Sequence, residues 1–334
     1  LRAIGSPTDV IRLVGLRLLH AAGTVLLVAS LTFVLLHLAP GDPLAGAGQT
    51  TLVPREVVEQ QRRSFGLDRP LPEQYVRYLG NLVRGDLGYS FREHRPAWDA
   101  ITDRIPNTLL LAGAGLAVMF AVGIAVGAFQ GARAGSALDD AISLVTLTVY
   151  STPVFWLGIV LLLVFAEALR WLPAGGAADA VAHASRSGAG RLADHLVHLI
   201  LPALTLGIAG AAVVARYQRA AMLEVLRQDF VRTARAKGLT ARTVLLRHAL
   251  RNALLPTVTL FGLAFPLLLS GAVLVETVFA WPGMGKLTVD AIAARDYAVV
   301  TGTAIIAAAM VALGNVLADV LYHVLDPRTR EPAP

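Results

Sequence analysis

The Gly-Lys pair in Trp281-Pro282-Gly283-Met284-Gly285-Lys286-Leu287-Thr288 raises the question of phosphate chemistry. A phosphate-binding loop cradles its ligand with backbone amides, reaches the outer oxygens with lysine and holds magnesium with the next hydroxyl. The spacing here does not supply that loop. Leu287 follows the lysine where Ser or Thr is needed, and Ala280 stands five residues before Gly285 where the loop needs Gly. Any ATP used with this chain is therefore expected to be hydrolysed by another one. There is no Cys, which excludes thiolate nucleophiles, disulfides and Cys-held metals. Neither H-E-x-x-H nor G-x-S-x-G occurs. His20 and His37 have no carboxylate near them in sequence and read as packed or interfacial side chains. Glu167, Arg170 and Glu276 fall near the ends of apolar runs, where they are expected to reach an interface, while Asp319, one turn after Asn315, sits deeper. Helix packing is favoured for Asp319 over an aqueous path. No catalytic residue, metal site or cofactor is expected in this chain, which reads as a transport subunit and not as an enzyme.

These residues sit in a chain of 334 residues that is 55% hydrophobic and only 16% charged. A soluble domain carries about 25% charged residues, so the composition is that of a membrane protein. A bilayer core takes about 20 helical residues to cross. Six apolar runs are long enough: 14–38, 108–129, 141–169, 199–214, 253–279 and 298–325. The fourth is the shortest. Pro153, Pro202 and Pro266 fall within three of them, where neighbouring helices must satisfy the backbone groups that proline frees. The first run is longer than the apolar part of a signal peptide and no clear A-x-A site follows, so it is read as a retained span.

The net charge of +6 reports topology before it reports partners. With the N-terminus inside, the cytoplasmic side collects Arg2, Arg12, Arg17, Arg133, nine basic residues from Arg216 to Arg251, and Arg328 and Arg330. The short outer loops hold only Arg170, Arg186, Arg191, Lys286 and Arg295. Both termini are thus expected in the cytoplasm, as tails 1–13 and 326–334. The segment 39–107 is expected as a small external domain with a polar helix at 54–65, a Pro-rich turn and a second amphipathic helix at 73–84. The Gly-, Ala- and Ser-rich stretch 171–195 reads as a flexible connection. Gly123, Gly127 and Gly131 lie four apart on one helical face; they suit close helix packing, or are small residues of an Ala-rich helix.

The most basic segment is the cytoplasmic loop 216–252. From Ala220 to Lys237, Met222, Leu226, Phe230 and Ala234 recur four apart, with Glu224, Arg227, Gln228, Arg232 and Arg235 on the other faces, which predicts one amphipathic helix. Gly238 suits the left-handed position that ends a helix, and Thr240 can cap the next, which carries Arg242, Arg247 and Arg251 toward Pro256. Nucleic acid, anionic lipid and another protein compete as partners. The segment lacks aromatic residues for stacking on bases, which disfavours nucleic acid. Attraction to lipid explains the charge but not the glycine bend. A rigid bent element joined to two spans suits the docking of a protein whose movement it passes on.

Thr233-Ala234-Arg235-Ala236-Lys237-Gly238, followed by Asn252-Ala253-Leu254-Leu255-Pro256, resembles the EAA loop of permease subunits of binding-protein-dependent ABC importers. Aligned on Gly238, that loop's usual Glu falls on Arg232 and its first Ala on Thr233. Further stretches resemble the dipeptide/oligopeptide/nickel branch: 65–90, RIPNTLLL at 104–111, TPVFWLGI at 152–159, VETVFAWPGMGKL at 275–287 and DPRTR at 326–330. The long segment after the first span is similar to that of the first of two paired permeases.

The resemblance implies an all-α integral membrane protein with six transmembrane helices, a type I ABC importer permease (MetI-like) core at 108–325, and an external domain between the first two helices. It implies a bacterial or archaeal cytoplasmic membrane. It also implies partners: a second homologous permease subunit, two cytoplasmic ATPases that carry ATP and Mg, an extracytoplasmic solute-binding protein and the lipid bilayer, with no nucleic acid. Asp229, Phe230, Thr233, Ala234, Arg235, Ala236, Lys237 and Gly238 would form the coupling element, with Phe230 and Ala234 as its apolar contact. Trp281, Pro282, Gly283 and Gly285 would face the binding protein, and Pro153, Pro202 and Pro266 would line or gate the path. The expected solute is a di- or oligopeptide, with nickel or another small compound as the alternative within the family. A stand-alone channel or secondary transporter is the alternative outside it.

Overall fold

A computed structural model describes residues 7–38, 69–90, 92–179 and 181–325. These are mostly helical. Helix α1 (Pro7–Leu38) is followed by α2 (Leu71–Val83), the two-residue strands β1 (Tyr89–Ser90) and β2 (Arg95–Pro96), and α3 (Ala97–Thr102). The strands pair antiparallel, Tyr89 opposite Pro96 and Ser90 opposite Arg95. Then come α4 (Ile105–Ala132), α5 (Ala137–Ser151), α6 (Val154–Leu162), α7 (Gly188–Leu226) and α8 (Asp229–Ala236). Two single turns, Ala241–Thr243 and Arg251–Ala253, flank a π-helical stretch, Val244–Leu250, and lead into α9 (Leu255–Val278). Helices α10 (Met284–Ala294) and α11 (Tyr297–Leu325) follow.

Six spans were expected, and the helices divide differently. Among the described residues four are long and apolar enough to cross a membrane, Leu19–Leu38, Ala97–Ala132, Gly188–Leu226 and Tyr297–Val316, and a bent pair brings the number to five. The pair replaces the third expected span: α5 and the helical stretch 154–168 meet at 106°. Pro153 causes the break. Its ring disfavours helical backbone at the residue before it, and Thr152 is extended (φ −83°, ψ 128°). The fourth run, expected to be the shortest, is part of the 39-residue α7, which carries buried Pro202 without interruption. Pro266 lies within α9, in the fifth run.

Helices α4 and α7 form the most extensive pair in the fold, and the glycine face of α4 explains why. A Cβ at Gly123 would stand 2.5 Å from Val214 Cβ, and one at Gly127 2.7 Å from Gln218 Cβ. On α7, Gly210 approaches Met119 just as closely. The small residues let two backbones pack against each other, as the packing reading of that stripe predicts. Around this seam Leu111, Leu116, Met119, Leu206, Val214, Val275 and Phe279 form the main apolar core.

Two smaller cores sit at opposite ends of the bundle. At one end, which we term the loop end, Ala128, Met222, Val225, Val231, Ala234, Val244, Ala249 and Ala253 pack together. At the other, the cap end, Ala97, Ile101, Met284, Leu287, Ala291, Val299 and Val300 do so. The second external helix forms as expected, at Leu71–Val83, and meets α1: Ser30 and Tyr75 hydroxyls are 2.6 Å apart, and His37 Nε2 is 3.2 Å from Gln74 Oε1. His37 is thus a packed side chain, its ring tilted against Phe33. The polar helix expected at 54–65 lies outside the described residues, as do the two tails for the most part.

Candidate functional sites at the two ends of the bundle

The helix expected from Ala220 to Lys237 is two helices. Gln228 is extended (φ −73°, ψ 151°), which ends α7 at Leu226 and starts α8 at Asp229. Asp229 in the first turn complements the positive end of the α8 dipole. The break shifts the helical phase, so the inner face of α8 is Val231 and Ala234, 0% and 6% exposed, while Phe230 is 39% exposed. Ala234 therefore packs within this chain, and Phe230 alone of the expected apolar pair faces outward. Thr233, Arg235, Ala236 and Lys237 are exposed with it. An eight-residue helix is not stable by itself in water. Burying Val231 contributes roughly 1.5–3 kcal/mol and holds α8 against Met222, Val225 and Val244. The Asp229–Arg232 pair, at 3.4 Å with both side chains exposed, adds little.

Gly238 ends α8 in the left-handed conformation (φ 77°), its amide donating to Arg235 O at 2.9 Å. A side chain there would be strained. Thr240 Oγ1 accepts from Thr243 N at 3.3 Å and caps the next turn. The bend and the cap both match the sequence expectation.

Beside this element lies a charged clamp that sequence reasoning missed. Asp139, 1% exposed, takes a bidentate bond from Arg219, Nε to Oδ1 at 2.8 Å and Nη2 to Oδ2 at 2.7 Å. Gln130 Nε2 and the Gly135 amide also donate to it. The clamp joins the ends of α4, α5 and α7. A signal for part of it was present: Ser136 caps α5 by accepting from Asp139 N, the arrangement that Ser-x-x-Asp encodes. Nothing in the sequence pairs Asp139 with Arg219, 80 residues on. One turn-neighbour of the clamp, Gln218, accepts from Thr257 Oγ1 at 2.6 Å and is fully buried.

The cap end is organised by Glu276, which was expected to reach an interface. It is 0% exposed instead. Its Oε1 accepts from Thr108 Oγ1 on α4 at 2.7 Å and its Oε2 from the Lys286 amide on α10 at 2.9 Å. Thr108 Oγ1 in turn accepts from Met284 N at 2.8 Å. The carboxylate thus lies at the amino end of α10, where exposed amides and the dipole favour negative charge. Gly283 and Gly285 are glycine for lack of room: a Cβ at either would run into the Glu276 carboxylate. The Lys286 ammonium pairs with Asp290 at 2.8 Å.

Trp281, Gly283 and Gly285, expected to face a binding protein, are buried, and Pro282 is half-buried. Trp281 Nε1 donates to Asn107 O at 3.0 Å, its ring lies against His195, and Asn107 Nδ2 donates to Pro282 O. A buried indole needs such a partner for its N–H. The turn is a keystone of the fold and presents no tryptophan face to a partner.

The stretch 171–195 is pinned, contrary to the flexible connection expected. Asp194, nearly buried, accepts from His183 Nδ1 and Arg186 Nη1, both at 2.8 Å, and from Asp179 N at 3.1 Å. The Asp179 carboxylate accepts from the Val181 and Ala182 amides, which hold it below the usual carboxylate range. Gly176 N donates to Phe279 O at 2.8 Å and ties the stretch to the Trp281 turn. Asp296, 2% exposed, accepts from Ser90 Oγ at 2.5 Å and from Arg92 N, joining the β-hairpin to the start of α11. Of the proposed path residues, Pro153 is exposed at the α5–α6 bend and Pro202 is buried in α7. Asp319 has no described side chain, and Glu167 and Arg170 are exposed.

Known proteins show the same organisation of sequence. Residues 123–331 match the family described as binding-protein-dependent transport system inner membrane component, and residues 10–112 match its N-terminal companion. A di/tripeptide transport system permease protein of Pseudomonas aeruginosa is 42% identical over 316 residues, covering 91% of this chain and 94% of its own. The dipeptide transport system permease protein of Escherichia coli K12 is 40% identical, over 90% of this chain and 93% of its own. An oligopeptide transport system permease protein of Bacillus subtilis is 39% identical, over 93% of this chain and 97% of its own. The chain therefore belongs to the inner-membrane components of binding-protein-dependent transport systems, as an ABC importer permease of the peptide branch.

Proposed function

We propose that this chain is one of two permease subunits of an ATP-driven importer of di- or oligopeptides, with six membrane helices. The loop end faces the cytoplasm and the cap end the outer compartment, and both termini are cytoplasmic. Two separate ATPases bind ATP and Mg, and an extracytoplasmic binding protein delivers solute to the cap end. The six helices are α1, α3–α4 taken as one, the bent pair α5–α6, α7, α9 and α11. The positive-inside distribution of Arg and Lys supports this orientation.

The observation that carries the coupling role is the two-sided build of α8. Its inner side is locked by Val231 and Ala234, while its outer side carries exposed Phe230, Arg235 and Lys237. Movement imposed on that outer side passes to α7 through the inner contacts and to α9 through the turns at 241–253. The family resemblance supplies the partner, and the Gly238 bend supplies a fixed shape for it to bind. Peptide as solute is supported by the names of the relatives.

Uptake by proteoliposomes holding both permeases and both ATPases tests the reading. Labelled dialanine should enter only with internal ATP and external binding protein. Flux catalysed by this chain alone, without nucleotide, would contradict it.

A further inference from the structure

The cap end holds a carboxylate that the coupling role does not use. Glu276 ties three helices together: it projects from α9, takes the Thr108 hydroxyl of α4, and takes the Lys286 amide of α10. Thr108 closes the triangle by accepting from Met284 N. Gly283 and Gly285 bring the α10 backbone onto the carboxylate so closely that neither has room for a Cβ.

Two features make this tie different from a structural ion pair. First, Glu276 is fully buried and no salt bridge to it forms among the described residues; the nearby Lys286 ammonium is given to Asp290. A buried carboxylate without a counterion is a poor way to stabilise a fold, because removal from water outweighs what neutral donors return. Second, a cavity of about 60 Å³ adjoins it, lined by Thr108, Glu276, Thr288, Thr303, Ala307 and Met310. A water needs roughly 10–15 Å³ of such volume, so the space can hydrate the carboxylate once its bonds open.

Resting on the importer reading above, we propose that Glu276 is a positioning residue that latches the cap end shut, and that transport releases it from Thr108 and the Lys286 amide into the adjoining cavity. The latch holds α9 to α4 and α10 in the closed state. Its release frees the end of α9 from α4 and α10, which stay joined to each other through Thr108–Met284 and Asn107–Trp281.

The absence of Cys makes a direct test simple. Thr303→Cys places a buried thiol in the cavity lining, and its rate of modification by a small cationic methanethiosulfonate is measured in the fully assembled importer. T108V should speed labelling about tenfold, the effect of removing one hydrogen bond to a charged group. E276Q should do so as well, since its amide offers one acceptor oxygen where the Thr108 hydroxyl and the Lys286 amide need two. T108S, which keeps the hydroxyl, should match the parent. Both faster variants should hydrolyse ATP without binding protein at undiminished assembly. Equal labelling in all four chains, in a parent that imports labelled dialanine with ATP, overturns the latch alone. A parent that imports nothing with ATP overturns the importer reading and the latch with it.

Discussion

Both ends of the bundle bury a carboxylate at a three-helix junction, and they do so in opposite ways. At the loop end Asp139 meets Arg219 in a bidentate pair, joining α4, α5 and α7. At the cap end Glu276 meets only a hydroxyl and backbone amides, beside a cavity. A buried charge with a matched counterion is hard to separate, since Asp139 would be left desolvated and alone. A charge held by neutral donors can trade them for water. The comparison teaches that the loop end is built to move as one piece, while the cap end is built to open.

The largest effect should come from unbalancing the clamp. Arg219→Met strands the Asp139 carboxylate, at a cost of about 3–5 kcal/mol. The detergent-solubilised importer should lose most of its thermal stability, and Asp139→Leu added to it should restore much of the loss. If Arg219→Met is tolerated, the rigid half of the comparison fails. Next in size is the α4–α7 seam that connects the two ends. Gly127→Ala puts a methyl against the Ala215 carbonyl and Gln218, and should cost about 1–3 kcal/mol in the same unfolding measurement.

Gly238→Val should cost about 1–2 kcal/mol locally, since a β-branched residue is forced to φ 77°. ATP-driven uptake should fall with it, because the bend sets the direction of α8. Smallest in stability is Phe230→Asp, an exposed change expected within about 0.5 kcal/mol of the parent. It sharpens the comparison most, since it should abolish coupling while leaving both buried carboxylates in place.

Much of this fold was legible in the sequence, because the features that specify it are local. The apolar runs marked the long helices, Gly238 and Thr240 marked a helix end and start, and Gly123, Gly127 and Gly131 marked the α4–α7 seam. What was not legible depends on chain returning from far away. Thr108 and Glu276 are 168 residues apart, and Ser90 and Asp296 are 206 apart. No spacing rule announces either pair. Phe230 and Ala234 illustrate a subtler loss: the spacing of four continues the face of Met222 and Leu226 only in an unbroken helix, but the extended Gln228 re-phases α8 so that Val231 and Ala234 turn inward and Phe230 lies at the exposed edge. Trp281 was expected to face a binding protein because the resemblance implied it, and its N–H is instead bonded inside at Asn107.

The central claim is that the outer side of α8 docks a separate ATPase. Full-length Phe230→Asp, co-expressed with its permease and ATPase partners, tests it most directly. Purified through a tag on this chain, the variant should retain the parent's amount and melting temperature, lose the ATPase subunits, and show no ATP-driven uptake of labelled dialanine. Co-purification of the ATPases at parental levels, with uptake intact, would contradict the account.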